Sequence, residues 1–183
     1  MARIACIGTH GVGKTTLCYD LAAALKKRGV VVDMVKEVAR LSPLPINRQT
    51  SLEAQLWILT TQIAEEIRSA SRHDVVVCDR SVLDNYAYLV LAVSRQRWLE
   101  PLVNRWMKGY DLLIKVPIVG RPSSDGVRDT DELFMRSIDR LVDELLAERH
   151  LPFETLPPDR REDWATLATR WARALPSVAA RLF

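Results

Sequence analysis

The segment GTHGVGKT, residues 8–15 of the 183-residue chain, matches the pattern GxxxxGK[ST]. A short apolar run at residues 3–7 precedes it, and residues 14–28 follow with leucines at helical spacing. A glycine-rich turn between a strand and a helix lets backbone N–H groups converge on phosphate oxygens, and the helix start adds a partial positive charge. The segment therefore predicts a phosphate-binding loop (Walker A); a glycine-rich turn without a ligand is the alternative.

The loop also predicts a nucleoside triphosphate, ATP in the first place, bound together with Mg²⁺. Lys14 is expected to contact the β- and γ-phosphates, and the Thr15 hydroxyl to bind the metal. Thr16 is expected beside the α-phosphate, whereas His10 occupies a variable position of the pattern, which favours a structural role. The loop residues predicted to contact the nucleotide are Gly8, His10, Gly11, Val12, Gly13, Lys14, Thr15 and Thr16.

Strand-like and helix-like segments alternate along the chain. Apolar runs separated by helices indicate a parallel sheet covered on both faces. The pattern therefore predicts a single α/β domain, residues 1–183, built as a three-layer α/β/α sandwich. The strand candidates are residues 3–7, 30–35, 74–78, 112–116 and 153–156; the helix candidates are residues 14–28, 50–69, 83–93, 99–108 and 131–148, with a last helix from Trp164 to Leu175.

The second helix candidate has a distinct start. Residues 50–53, TSLE, have the form of a capping box, which predicts Thr50 as the N-cap. Its predicted apolar face consists of Leu52, Leu56, Leu59, Ile63 and Ile67.

Composition and charge exclude several classes of protein. No apolar stretch approaches the roughly 18 residues of a membrane span, and the N-terminus lacks a signal-peptide pattern, so we expect a cytoplasmic protein without a membrane partner. A net charge of +3 gives little reason to expect nucleic-acid binding, although a local basic patch stays open. Cys6, Cys18 and Cys78 lack CxxC spacing and are predicted to be reduced, buried thiols.

A pair of charged residues follows the strand candidate at residues 74–78. Asp79 stands at the carboxyl end of that strand, where open α/β sheets bind ligands, and is predicted to hold Mg²⁺ through water. Arg80 is a permanent, planar cation suited to a phosphate or to an acidic substrate group. A surface ion pair is the alternative for these two residues.

Another charged group follows the strand candidate at residues 30–35. If this strand neighbours the first one, Glu37 faces the nucleotide cleft, where it can accept the proton of an attacking hydroxyl, and Arg40 can grip the substrate. Phosphoryl transfer needs mainly positioning and charge neutralisation, so one carboxylate and several arginines are sufficient. A solvated charge cluster at a helix start is the alternative.

Residues 117–130 are rich in glycine, proline, serine and charge and are predicted to form a lid. On closing, Arg121 or Arg128 can neutralise charge on the transferred phosphoryl group and exclude water. Arg136 and Arg140 follow at helical spacing and can join them. An ordinary connector and an exposed helix face are the alternatives.

Four segments together resemble the P-loop nucleoside and nucleotide kinase superfamily: GTHGVGKTT, KEVAR, DRSVLDNYAY and SDGVRDTDELF. The likeness covers about residues 3–165 and is closest to the ribosylnicotinamide-kinase-like AAA/ATPase branch of bacterial and phage kinases. It implies a five-stranded parallel sheet in the order 2-3-1-4-5, a base role for Glu37, and metal and phosphate contacts for Asp79 and Arg80. Glu37 is followed by Val-Ala-Arg rather than the proline usual in deoxynucleoside kinases, and Asp79 replaces their glutamate; both departures favour the ribosylnicotinamide-like branch.

The residues that contact the acceptor and the adenine are assigned less directly. Asp84 or Asn85 can bind a sugar hydroxyl, and Tyr86 or Tyr88 can stack on a base, although helix capping and core packing explain these residues equally well. By position in the family, Trp57 and Gln55 are candidates for the substrate pocket, with packing as the alternative for Trp57, and Arg161 is a candidate cover for the adenine ring.

These observations favour an ATP-dependent kinase acting on a nucleoside, a nucleotide or a nucleoside-like metabolite. A kinase for polynucleotide ends or modified DNA bases and a regulatory ATPase that binds a protein partner are the alternatives. No NKxD-type guanine-reading motif is visible, which disfavours a GTP-dependent switch. Whether the protein acts as a monomer or as a homodimer stays open.

Overall fold

The computed structural model describes residues 1–46, 50–120 and 132–181. The strands in this part of the chain pair in parallel, in the order β2-β3-β1-β4-β5. The parallel sheet predicted from the pattern, and the strand order implied by the resemblance, are therefore confirmed. The strands are β1 (Ala2–Ile7), β2 (Val32–Val35), β3 (Val75–Asp79), β4 (Leu112–Lys115) and β5 (Glu154–Thr155).

Helices cover both faces of this sheet. Leu17, Leu21 and Ala168 pack on one face, and Leu59, Val103 and Ile138, from three other helices, pack on the opposite face. This arrangement is the predicted three-layer sandwich. The helices of the described residues are α1 (Lys14–Lys26), α2 (Leu52–Ala70), α3 (Val82–Val93), α4 (Glu100–Met107), α5 (Glu132–Glu148), α6 (Trp164–Ala174) and α7 (Pro176–Ala179), with 3₁₀ turns at Val38–Leu41 and Arg161–Asp163.

The central strands β1 and β3 are buried on both sides, which explains their apolar runs at residues 4–7 and 75–78. Successive residues of β1 face opposite layers: Ile4 lies in the core under α1, and Ala5 lies in the core under α3. Burial of one large aliphatic side chain contributes about 1.5–3 kcal/mol to stability. Because β1 and β3 are parallel, with Cys6 opposite Asp79, the loops after them leave the same edge of the sheet.

Helix α2 differs from its sequence prediction at its start and along its buried face. Ser51, rather than Thr50, is the N-cap: its hydroxyl accepts a hydrogen bond from the Ala54 N–H at 3.2 Å. The predicted apolar face is wrong at Ile67, which is 57% exposed. The helix is rotated so that it also buries polar side chains, namely Gln55, Gln62, Glu66 and Ser69.

The last predicted helix is interrupted. It ends at Ala174, because Leu175 adopts an extended conformation and Pro176 starts α7. The three cysteines are buried and unpaired, as predicted. Within the ranges that the structure describes, every helix is too short or too polar to cross a membrane.

Candidate active site

The phosphate loop joins β1 to α1 through three glycines with positive φ. The angle is 125° at Gly8, 74° at Gly11 and 98° at Gly13, in the region that favours glycine. A Cβ atom on Gly8 would lie 2.9 Å from the carbonyl oxygen of Val116, which leaves no room for a side chain. The backbone therefore forms the turn that the sequence predicts.

Helix α1 begins directly after this turn, at Lys14. Its N-cap, Gly13, carries no capping side chain, and its first turn contains no acidic residue. The first N–H groups of the helix are thus left for a ligand, and the helix dipole favours an anion. Thr16 is exposed at this end, whereas Val12 is buried in the core below the loop and can offer a ligand only its backbone.

Lys14 is a buried cation. Its Nζ donates to the carbonyl oxygen of Thr9, within the loop itself. Burial, with a further contribution from the charge of Arg80, lowers the pKa of Lys14 from 10.5 to about 8, although nearby carboxylates act in the opposite direction. A polyphosphate bound in the loop would supply negative charge to pair with this buried ammonium group.

The two predicted metal ligands lie against each other. The Thr15 hydroxyl donates to Asp79 Oδ2 at 2.5 Å, although the two residues belong to different elements. Hydroxyl and carboxylate oxygens suit Mg²⁺, which commonly uses few protein ligands and takes the rest from phosphates and water. Across the described ranges, no group of three or more His, Cys, Asp or Glu side chains could hold a metal ion.

Arg80 and Glu37 form a buried ion pair. Arg80 Nε lies 2.8 Å and Nη2 2.7 Å from Glu37 Oε1, and both side chains are less than 10% exposed. The guanidinium also stacks over the ring of Tyr88, 4.8 Å from its centre. The Nη1 atom of Arg80 is buried and has no hydrogen-bond partner in the described part of the protein, which leaves a donor for a ligand.

The other carboxylate oxygen of Glu37 faces Arg40. Arg40 Nε donates to Glu37 Oε2 at 3.0 Å, and the Arg40 side chain is 40% exposed. The structure therefore joins the Glu37, Arg40 and Arg80 positions that the sequence singled out. It does so because β2 and β3 are neighbours whose carboxyl ends meet at one edge of the sheet.

A cavity opens beside this ion pair. Asn85 belongs to its wall, and its Nδ2 atom is a second buried donor without a partner among the described residues. Gln55 and Tyr88, both candidates from the sequence, also line it. The complete lining is His10, Glu37, Ala39, Arg40, Ile46, Gln55, Ile58, Arg80, Asn85 and Tyr88.

Three predicted substrate contacts lie outside this cavity. Asp84 is fully buried, where its carboxylate accepts from Gly8 N and caps α3 through Ser81. Tyr86 is also fully buried and donates to Glu100 Oε1 at 2.6 Å, so it cannot stack on a base in this arrangement. Trp57 is half-buried and does not belong to the lining.

His10, for which its variable position in the motif favours a structural role, belongs to the phosphate loop and also to the wall of the cavity. Its ring forms part of the cavity wall, with Nδ1 2.9 Å from the Tyr88 hydroxyl. Phe134 packs beside both rings, at 5.7 Å from His10 and 6.2 Å from Tyr88 between ring centres. His10 therefore links the phosphate loop to the cavity.

A second depression lies on the opposite side of the loop, between α1 and α6. Its wall contains Gly13, Thr16, Arg161 and Trp164. The Arg161 guanidinium stands 5.5 Å from the centre of the Trp164 ring, and a Cβ on Gly13 would lie 3.1 Å from Arg161 Nη2. Arg161 thus lies beside the loop, where its predicted contact with adenine requires it. Trp164 was not a sequence candidate for this depression.

The structure describes only part of the predicted lid. Arg121 and Arg128 lie outside the described residues, and only positions 117–120 of that segment are included. Arg136 and Arg140 are exposed on α5, and Arg136 pairs with Glu132 one turn away.

The sequence reasoning missed a buried cation and the apolar wall of the cavity. Lys115, at the end of β4, lies between Asp139 and Asp143 of α5 and next to Gly8. A lysine at the end of an otherwise apolar strand was a signal for it. The apolar wall, Ala39, Ile46 and Ile58, had no such signal because isolated apolar residues also fit the core.

Comparison with known proteins identifies a sequence family and a similar fold. Residues 3–165 match the family described as AAA domain. No curated protein matches the chain. The solved structure of a deoxyadenosine kinase from M. mycoides, with the products dCMP and a flexible dCDP bound, aligns with 94% of this chain and 99% of its own, with a TM-score of 0.66 and 16% identity.

At that identity the structural match shows the fold alone. The ribosylnicotinamide-kinase-like branch stays a prediction. The family match covers most of the sequence, and the sheet order is that of the aligned kinase fold. The chain therefore belongs to the AAA domain family and has the α/β fold of the P-loop nucleoside kinase superfamily.

Proposed function

We propose that this protein is an ATP- and Mg²⁺-dependent kinase that phosphorylates a nucleoside, a nucleotide or a nucleoside-like metabolite. The Glu37–Arg80 pair carries the proposal, because it stands in the wall of a cavity beside the phosphate loop. A nucleotide-dependent switch needs the loop and a metal site. It does not need a second polar cavity that contains a carboxylate and two arginines.

The nucleotide side of the site would act mainly through charge. Lys14 would neutralise the β- and γ-phosphates, and Thr15 and Asp79 would hold Mg²⁺, which screens the charge of the triphosphate. Arg161 would cover the adenine next to Gly13. Arg121 and Arg128 would complete this side from the lid at about residues 117–130, within a single domain of residues 1–183.

On the acceptor side, Glu37 would remove the proton of the attacking hydroxyl. Arg80 binds Oε1 twice and fixes the orientation of the carboxylate. Oε2 is paired with the more exposed Arg40, which can move aside when an acceptor enters. Oε2 is therefore the atom that would take the proton, and Arg80 Nη1 would meet the acceptor or the transferred group.

The cavity wall suits a ring with hydrogen-bond acceptor atoms. Ala39, Ile46 and Ile58 supply apolar contact, and Asn85 Nδ2 supplies a donor. The dCMP and dCDP bound to the aligned kinase support a nucleoside-like acceptor for this fold. The free, buried thiols of the chain suit a reducing compartment such as the cytoplasm.

The experiment is ADP release from Mg²⁺·ATP over a panel of nucleosides, nucleoside monophosphates, ribosylnicotinamide and oligonucleotide ends. We expect strong stimulation by one small compound, and mass spectrometry should show its phosphorylated form. Stimulation by oligonucleotide ends alone, lost with rising salt, would replace the small-molecule acceptor with a polynucleotide.

A regulatory ATPase is the second candidate, favoured by the description of the matching family as AAA domain. It predicts slow ADP release that no acceptor in the panel increases. In that case the cavity beside Glu37 would bind no phosphate acceptor, and the search would turn to protein partners.

A further inference from the structure

Arg80 has a backbone conformation that residues other than glycine rarely adopt. Its φ is 94°. Such conformations persist only where surrounding contacts hold them, and they concentrate at functional sites. Relaxation to a negative φ would redirect the side chain and separate the guanidinium from Glu37. The contacts that hold this turn are therefore part of the site.

Among the described residues, three hydrogen bonds from other elements hold the turn, and two of them come from side chains; the Ser81 N–H also donates to Asp84 Oδ2 within the cap of α3 at 2.7 Å. The Arg80 N–H donates to the carbonyl oxygen of Cys6 at 3.1 Å. Gln62 Nε2, from α2, donates to the Arg80 carbonyl oxygen at 3.2 Å. The hydroxyl of Tyr110 accepts from the Val82 N–H at 3.1 Å. The side-chain bonds thus reach the backbone on both sides of the Arg80–Ser81 step.

One buried carboxylate orients both of these side chains. Glu66 Oε1 accepts from Gln62 Nε2 at 2.9 Å and from the Tyr110 hydroxyl at 2.5 Å. Gln62 and Glu66 are completely buried. Burial, reinforced by the charge of Glu66, raises the pKa of Tyr110 well above its usual value, so its hydroxyl stays protonated and can both donate and accept.

The opposite oxygen of Glu66 has separate partners. Trp106 Nε1 donates to Oε2 at 2.7 Å, and Arg3 Nη1 lies 3.4 Å from it. Neither of these side chains bonds to the backbone of the Arg80 turn. Loss of the Trp106 donor would thus remove one hydrogen bond from the same buried carboxylate without removing a contact to the turn.

We propose that Gln62, Glu66 and Tyr110 are positioning residues that hold the Arg80 turn and, through it, the Arg80–Glu37 pair. We call these three residues the Arg80 support. Its consequence for turnover rests on the proposed function, whereas its effect on the ion pair does not. Buried polar groups joined by hydrogen bonds at this position would fix one arrangement of the turn, although Gln62 Oε1 has no hydrogen-bond partner among the described residues.

The test compares three variants of the full chain without nucleotide or acceptor: Gln62→Leu, Tyr110→Phe and, as the matched control, Trp106→Phe. The readout is hydrogen exchange of the Arg80 Nε–H by NMR, assigned by its absence in Arg80→Lys. We expect exchange to become about tenfold faster in the first two variants, the scale of one lost buried hydrogen bond, and to stay within about twofold of wild type in the control.

A second readout is kinetic and needs the acceptor found under the proposed function. Gln62→Leu and Tyr110→Phe should lower kcat by roughly tenfold and leave the KM for ATP within about twofold, because the phosphate loop is untouched. Trp106→Phe should retain kcat. If no acceptor is found, the proposed function fails. The exchange measurement still tests whether the Arg80 support holds the Arg80–Glu37 pair.

Equal exchange in all three variants, whether as slow as wild type or equally fast, would overturn the proposal. Circular dichroism and amide dispersion establish that each variant is folded. If Gln62→Leu does not fold, Tyr110→Phe decides the matter, because it removes a single hydroxyl.

Discussion

The phosphate loop and the cavity beside Glu37 lie at one edge of the same sheet, but different forces set their shapes. The loop is a contiguous segment whose path follows from glycine φ angles and from the start of α1. The cavity is assembled from the loop, the segments after β2 and β3, α2 and α3, and its polar groups hold each other. A local sequence pattern therefore specifies the first, and tertiary contacts specify the second.

This difference predicts how substitutions act. A change in the loop removes a group that every P-loop reaction shares, so it should abolish all turnover. A change in the cavity should affect transfer or the acceptor and leave ATP binding intact. The variants below separate the two regions, starting with the largest effect.

Lys14→Ala removes the cation of the loop. We expect turnover to fall on the order of 10³-fold or more, because the charge of the transferred phosphoryl group loses its main partner. Steady-state ADP release measures it, with Lys27→Ala as control, since Lys27 is exposed beyond the end of α1. Full activity in Lys14→Ala would remove the loop from the mechanism.

Glu37→Gln keeps the shape of the side chain and removes its basicity. We expect kcat to fall by roughly 10²-fold or more, the usual scale of a general base, with ATP affinity nearly unchanged. Isothermal titration with ATP and the rate with acceptor measure the two quantities. Glu144→Gln, at an exposed position of α5, is the control. A loss of ATP affinity would instead assign Glu37 to the metal or to the structure.

Asn85→Leu removes an unpaired donor from the cavity wall and keeps the branched shape of the side chain. We expect the KM for the acceptor to rise about tenfold and the KM for ATP to stay the same. Trp57→Phe is a matched comparison, because Trp57 lies outside the lining. A larger effect from Trp57→Phe than from Asn85→Leu would move the acceptor away from this cavity.

Lys14→Met should stabilise the protein when nucleotide and metal are absent. The folded-state pKa of Lys14 is lowered from 10.5 to about 8, so burial of its charge destabilises the fold fully below pH 8, and this cost fades as the pH rises toward 10.5. The shift corresponds to on the order of 3 kcal/mol, and the lost hydrogen bond to Thr9 offsets part of it, which leaves a gain of about 1 kcal/mol.

Chemical denaturation at pH 7 and pH 10 measures this effect. The advantage of Lys14→Met should be present at pH 7 and largely gone at pH 10, where Lys14 is neutral in the folded protein. Equal gains at both values would mean that packing, and not charge, causes the change.

The sequence predicts those parts of the site that local chemistry determines. Asp79 ends β3, Arg80 follows it, and Glu37 lies two residues after β2. Parallel strands end at one edge of the sheet, so the closeness of these residues follows from the strand order. Because that order came from the resemblance and could not be derived from spacing, the pairing of β2 with β3 needed the structure.

The direction in which a helical side chain points was harder to predict, because successive residues of a helix are rotated by about 100°. Gln55 lines the cavity and Trp57, two residues later, does not; Asn85 lines it and Asp84, one residue earlier, is buried against the loop. The pattern of apolar residues did not predict accurately which face of α2 is buried. Gln62 and Glu66, in register with Gln55, are a polar stripe that marks the true buried face.

The central claim is that the γ-phosphoryl group passes from ATP to an acceptor held beside Glu37. ATP labelled with ¹⁸O in its γ-phosphate, incubated with Mg²⁺ and the acceptor selected from the panel, tests it directly by mass spectrometry. We expect the label in the phosphorylated acceptor, with one ADP formed for each product molecule and little labelled inorganic phosphate. Label found only in inorganic phosphate, at a rate indifferent to the acceptor, would contradict the claim.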